Sequence, residues 1–273
     1  MPIYKGSQKI KSFIRGNNVK IGKIYKGATL VYQSSIPVTY IVDSDISYTE
    51  MLQNGTDALS PTTFTPEKEG WIFAGWSESA TSSTVLESKI INSESITLYA
   101  VFKKEITLSY NANGGSSTPN SSTGYAIYIL GITTNPTFIL ANAISRSNYK
   151  FKGWRQGSVS GTSYDANAVV TLSESTIFYA SFALSYASGS ASANWSASDI
   201  SSDGTRVISQ YFTFPAAFDH VPSVSGSRSW SGYSTDNITV LFSNVSTTGF
   251  LLTVDCWQTG SKTYGLTVYW SAS

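Results

Sequence analysis

Ile96-Thr-Leu-Tyr-Ala-Val-Phe102 places Ile96, Leu98, Ala100 and Phe102 on one side at a period of two, which is the pattern of a strand with one buried face. The same ending returns in Phe178-Tyr-Ala-Ser-Phe182. Upstream of each stands a Gly-Trp pair, Gly75-Trp76 and Gly153-Trp154, at Trp-to-Phe distances of 26 and 28 residues. A β-rich lead precedes each pair, Val38-Thr-Tyr-Ile41 in the first and Ile106-Thr-Leu-Ser-Tyr110 in the second. The second lead runs into Asn111-Ala-Asn-Gly-Gly115, a turn, because Asn and Gly accept positive φ. The middle of the chain is thus two copies of one β unit. Trp76 and Trp154 are expected to plug the space beneath the alternating face, where a large ring contributes most by leaving water.

Both units resemble the Listeria–Bacteroides repeat family, also called internalin B repeats. The second carries the family's Tyr110-Asn-Ala-Asn-Gly-Gly115 opening, whereas the first has Tyr40-Ile-Val-Asp43 in its place. The resemblance implies small β-grasp-like modules that act as spacers or binding units on surface-displayed proteins, without enzymatic activity.

From Ala183 the texture changes. A Ser/Ala-rich stretch, Ser185 to Ser198, reads as a connection, and alternating runs follow. Ile208, Phe212 and Phe214 share a face, as do Ile238, Val240 and Phe242, then Phe250, Leu252, Val254 and Cys256, then Leu266, Val268 and Trp270. Turn-rich breaks separate these runs at the rhythm of an antiparallel sandwich. Phe212-Thr-Phe-Pro215, Val221-Pro222, Asn244-Val-Ser-Thr-Thr-Gly-Phe250, Cys256-Trp257 and Val268-Tyr-Trp-Ser-Ala272 together resemble the H-type lectin domain. That likeness implies a six-stranded sandwich, a homotrimer, and a terminal sugar held where subunits meet. In the family a Trp-His pair on the penultimate strand touches the sugar; here Trp257-Gln258 stands in that place. Gln258 can still donate and accept hydrogen bonds. Trp257 is open to two readings, a sugar platform or a core or interface residue. The Arg expected on the preceding strand is absent from Asn237-Ile-Thr-Val-Leu-Phe-Ser243, and Arg206 and Arg228 are the nearest by sequence.

The N-terminal strip has its own repeat: Ile3-Tyr-Lys-Gly6, Phe13-Ile-Arg-Gly16 and Ile24-Tyr-Lys-Gly27, 10 to 11 residues apart. Short apolar pairs followed by Gly suggest short strands and tight turns. Residues 1–33 carry seven bases and no acid, against 11 bases and 17 acids in the rest. The bases are interleaved with Ile, Tyr, Phe and Val, unlike a nucleic-acid-binding tail. The strip resembles the IYKG modules of structural proteins from bacteriophages and prophages of Gram-positive bacteria, which implies attachment to a scaffold through Tyr4, Lys5, Arg15, Tyr25 and Lys26.

Composition narrows the classes further. The chain has 273 residues, 14% aromatic and 13% charged, which argues against disorder. One Cys and one His rule out an intramolecular disulfide and a Cys/His zinc site. No apolar run is long enough to span a bilayer, and the start Met1-Pro-Ile-Tyr-Lys-Gly6 has no apolar stretch of signal-peptide length. His220, between Asp219 and Val221-Pro222, reads as a structural or solvated residue. The pairs Asp43/Asp45 and Glu67/Glu69 lie on solvated-looking segments, and Asp43-Ser-Asp45 lacks the Gly and the closing Glu of a calcium loop. No phosphate-binding glycine loop occurs.

The expectation is therefore an all-β, non-enzymatic chain without cofactor or metal. Its expected parts are a basic attachment strip (1–35), two β-grasp-like modules (36–103 and 104–183) and a six-stranded lectin-like sandwich (184–273). An adhesive chain without an export signal fits a virion protein that is assembled in the host cytoplasm and exposed on the particle. The expected role is a tail or baseplate fibre that binds host glycan; the alternative is a capsid head fibre or decoration protein that reads no receptor. Its partners would be two further copies, a tail, baseplate or capsid scaffold, and a host surface glycan, with no nucleic acid and no membrane insertion.

Overall fold

The structure is a computed structural model that describes residues 4–5, 8–9, 13–15, 19–21, 23–26, 29–33, 35–92, 95–195, 205–231, 237–257 and 264–273. Among these there are strands and no helix. The N-terminal strip forms three hairpins: β1 (Tyr4–Lys5) with β2 (Gln8–Lys9), β3 (Phe13–Arg15) with β4 (Val19–Ile21), and β5 (Lys23–Lys26) with β6 (Thr29–Gln33). There follow β7 (Ser35–Asp43), β8 (Ile46–Gln53), β9 (Ile72–Ser77), β10 (Ile96–Asn111), β11 (Ser122–Ile129), β12 (Ile132–Thr134), β13 (Thr137–Ile139), β14 (Tyr149–Gln156), β15 (Ser163–Tyr164), β16 (Val169–Thr171) and β17 (Thr176–Leu184). The last six strands are β18 (Ala187–Trp195), β19 (Thr205–Thr213), β20 (Val224–Ser231), β21 (Asn237–Ser243), β22 (Gly249–Trp257) and β23 (Tyr264–Ala272). Two compact units result. One comprises the chain to Leu108 with Ser121–Phe138 and Val169–Thr176; the other comprises Ser109–Asn120, Ile139–Ala168 and Ile177–Ser273.

In the first unit β7 and β8 form an antiparallel hairpin, and β7 also pairs parallel with β10 from Val38↔Ile96 to Ile41↔Tyr99. Alternation decides which face of β7 is buried: Ile36, Val38, Tyr40 and Val42 are each at most 4% exposed. Tyr40 donates its hydroxyl to the Ala58 carbonyl at 2.8 Å and lays its ring 4.9 Å from Trp76. Burial, helped by the negative charges of Glu50 and Asp57, pushes its phenol up to about 12.

The Gly-Trp pair has a structural cause. Along β9 and β10 the register shifts, with Gly75 opposite Val101 and Phe73 opposite Phe102, so Ala74 is an extra residue. Gly75 has φ +141° and no room for a side chain, since a Cβ would fall 2.2 Å from Val85 Cγ1. This bulge re-aims the next residue, and Trp76 enters the core at 2% exposure. In the second unit β14 repeats the device against β17: Phe151 faces Phe182, Gly153 faces Ser181, and Lys152 is extra. There Gly153 has φ +123°, and a Cβ would lie 2.5 Å from the Tyr164 carbonyl oxygen.

Two polar clusters fasten the first unit. Tyr128 of β11 donates its hydroxyl to Asp43, and Lys68 sits 3.1 Å from Asp43 Oδ2 and 3.7 Å from the Tyr128 ring centroid. The Tyr128 hydrogen bond, with those of Ser44 and Lys68, holds the Asp43 carboxyl below its ordinary range against desolvation. Glu50 is 6% exposed and accepts from the backbone N–H of Thr62 (2.9 Å) and Thr63 (2.7 Å) and from both threonine hydroxyls. Burial works against its ionisation, but these hydrogen bonds outweigh it and lower the pKa. A carboxylate with a depressed folded pKa stabilises fully above its unfolded pKa and loses that contribution as pH falls through the folded value. Glu50→Gln should therefore cost about 1–3 kcal/mol near neutral pH, and the gap from the parent should close as urea titrations move below the ordinary glutamate range. A gap independent of pH would contradict this role for the carboxylate.

The C-terminal strands pair antiparallel as two three-stranded sheets, β18-β23-β20 and β19-β22-β21. Between them lie Phe214, Phe218, Phe250, Leu252, Val254, Leu266, Val268, Trp270 and Ala272, all buried. This is the six-stranded sandwich of an all-β chain. The Ser/Ala stretch differs from its reading as a connection, because Ala187–Trp195 is a full strand against β23. Nor does the chain loosen before it. Ser185 and Tyr186 donate backbone N–H groups to the Asn148 carbonyl at 2.8 and 3.2 Å, Leu184 lies in the sandwich core, and Tyr149 of β14 packs against that core. Lys152, the bulge residue, reaches Asp219 at 3.0 Å. With His220 also on it, Asp219 is held down to about 2.

Candidate functional site

The penultimate strand β22 is the middle strand of its sheet and carries Trp257 as its last residue, opposite Thr205 on β19 and Asn237 on β21. Phe250, Leu252 and Val254 anchor the strand through the core. One step before Trp257, Cys256 faces Arg206 on one side and Ile238 on the other. Arg228 of β20, in the opposite sheet, donates its guanidinium to the Ile238 carbonyl. Arg206 is thus opposite the residue before Trp257, on the alternate face of the strand, while Arg228 registers with Val268 and reaches Ile238 only through its side chain; neither lies on β21. Arg228, one of the two arginines nearest by sequence, comes from across the sandwich, three residues before the end of its strand. Asp255, two residues before Trp257, lies opposite Val207 and Thr239; its Oδ1 is shielded from solvent and has no hydrogen-bond partner. Gln258 lies outside the described residues.

The other sequence candidates are dispersed. Tyr4 and Lys5 face Lys9 and Gln8, Arg15 faces Val19, and Tyr25 and Lys26 face Leu30 and Thr29, so the five residues are spread over three hairpins. His220 is exposed, with Nδ1 2.5 Å from Asp219. Asp43 belongs to the Tyr128–Lys68 cluster.

A bulge-built β unit used twice, followed by a six-stranded sandwich with an aromatic residue ending its penultimate strand, defines a modular all-β protein. The family model of the Listeria-Bacteroides repeat domain matches residues 37–101 and 107–181, together just over half of the chain, and the chain belongs to that family. The model of the H-type lectin domain matches residues 209–273. That domain points to carbohydrate as the ligand class. Comparison with curated proteins returns no match, and neither does comparison with solved structures.

Proposed function

We propose that this protein is a bacteriophage fibre component of the tail or baseplate, attached to the particle by residues 1–33 and binding host surface glycan through the sandwich. The observation that carries the glycan half is the H-type lectin match over strands that hold Trp257 at the end of β22. Trp257 is the aromatic platform of this reading, and Gln258 is its polar partner. The two repeats serve as spacers between attachment and binding, with no catalytic step.

A trimer belongs to the same reading. The outward side of the β19-β22-β21 sheet exposes Val207, Tyr211 and Leu241 to 51–58%, an apolar face that second and third copies of the chain would cover. The attachment half rests on the basic hairpins, because a cationic surface docks on an acidic scaffold and weakens as salt rises. Deleting residues 1–33 should abolish incorporation into particles while glycan binding by the purified protein is retained. Normal incorporation of the truncated protein would remove the attachment role.

A further inference from the structure

We propose a second carbohydrate site, separate from the Trp257 end and specific for neutral saccharides, on the outer face of the β18-β23-β20 sheet. Its origin lies in the core. Trp270 of the central strand β23 fills the inner face at 8% exposure, and its cross-strand neighbours are Gly189 and Gly226. A Cβ on Gly189 would lie 2.7 Å from the indole, and one on Gly226 would lie 2.4 Å from the Tyr269 carbonyl oxygen. Neither position accepts a side chain.

The neighbouring positions along the same three strands face outward and are hydroxylic. Tyr269 stands between Ser190 and Ser227, and Ser271 stands between Ser188 and Ser225. With Tyr186 these residues line an open groove of ≈ 590 Å³, within the range of about 300–1,000 Å³ typical of small-ligand sites. Tyr186 and Tyr269 are 41% and 51% exposed.

The chemistry selects the ligand. Each hydroxyl offers one donor and two acceptor lone pairs, the complement of the adjacent hydroxyls of a sugar. Among the described residues no hydrogen bond within the chain engages these five serine hydroxyls or the two phenols. Further along the same strands Ser192 and Thr267 do pair with each other, at 3.1 Å. The tyrosines add flat, amphipathic rings on which the apolar face of a pyranose can rest. No charged side chain lines the groove, so a carboxylate or phosphate would lose water without gaining a cation. An extended peptide could not add itself as a strand at Tyr269, because β23 is paired on both sides.

The test uses the full-length protein in ligand-observed saturation-transfer NMR with lactose, maltotriose and chitotriose, and 3′-sialyllactose as the charged comparison. At least one neutral probe should bind, at least about tenfold more weakly in Tyr269→Ala and in the groove-filling Ser227→Phe. With the Trp257 end removed by Trp257→Ala, the same probe should still bind, and adding Tyr269→Ala should still weaken it at least about tenfold. Because Tyr269 and Ser227 are exposed, both groove variants should keep the parent's unfolding transition. Three results would overturn the proposal: no neutral probe binding, loss in Trp257→Ala alone, or dissociation of an oligomer by Tyr269→Ala with sugar binding unchanged, which would make this face a contact between copies. Loss in Trp257→Ala alone would leave the first site standing; loss in the groove variants alone would leave the second.

Discussion

Trp154→Ala should destabilise the second unit by about 3–5 kcal/mol, the range for removing a large aromatic side chain from a core. Trp154 is fully buried, and its indole N–H donates to the Ala141 carbonyl at 2.9 Å. Its ring lies 4.7 Å from Tyr110 and 5.3 Å from Phe151. The substitution empties a space that these groups cannot close, because Gly153 and its bulge fix where the backbone runs. It also removes the partner of a half-buried carbonyl, which adds to the cost. A folded domain has only about 5–15 kcal/mol in hand, so much of this unit's stability depends on one ring. Trp154→Phe keeps most of the volume and should lose markedly less. Urea titrations of the three proteins check this, and a loss below about 1 kcal/mol for Trp154→Ala would place the weight of the core elsewhere.

Phe250→Ala should cost the sandwich a similar amount, about 3–5 kcal/mol. Phe250 sits fully buried at the meeting of five rings, with centroids 5.0 Å from Trp270, 5.5 Å from Phe212 and 5.7 Å from both Phe214 and Phe242. It also lies at the opposite end of β22 from Trp257, so loosening it releases the strand that ends in the proposed glycan platform. Phe250→Leu, closer in volume, should cost less than about 1.5 kcal/mol. Because Leu184 and Tyr149 join the second repeat to this core, Phe250→Ala and Trp154→Ala should shift the same thermal transition. Two separately moving transitions would show that repeat and sandwich unfold apart.

The repeat cores were legible because their signal is local. A glycine at positive φ before a tryptophan, then an alternating strand, marks the bulge and the ring it aims, and Trp76 and Trp154 occupy the cores as their spacing implies. The strand β18 was illegible for a physical reason. Gly189 is kept bare by the Trp270 ring beneath it, its inward neighbours Ala187 and Ala191 are small, and Ser188, Ser190 and Ser192 face outward. Small against polar gives no hydropathy contrast, so tertiary context rather than β-propensity makes it a strand. The parallel pairing of β7 with β10 was likewise hidden, since the crossover between them contains no helix to announce it. At the candidate site Trp257 comes from a motif on its own strand, and the structure places it at the end of β22. Arg228 was not placed, because its relation to Ile238 depends on how two sheets stack.

Carbohydrate binding by the sandwich through the end of β22, as proposed, can be read on a glycan array probed with the full-length protein carrying Tyr269→Ala, so that the groove is silent, with and without Trp257→Ala. Circular dichroism and thermal melting establish first that both proteins are folded. A restricted set of glycans should bind, with the strongest weakened at least about tenfold when Trp257 is removed. Binding to no glycan, or equal binding by both proteins, would contradict the proposal.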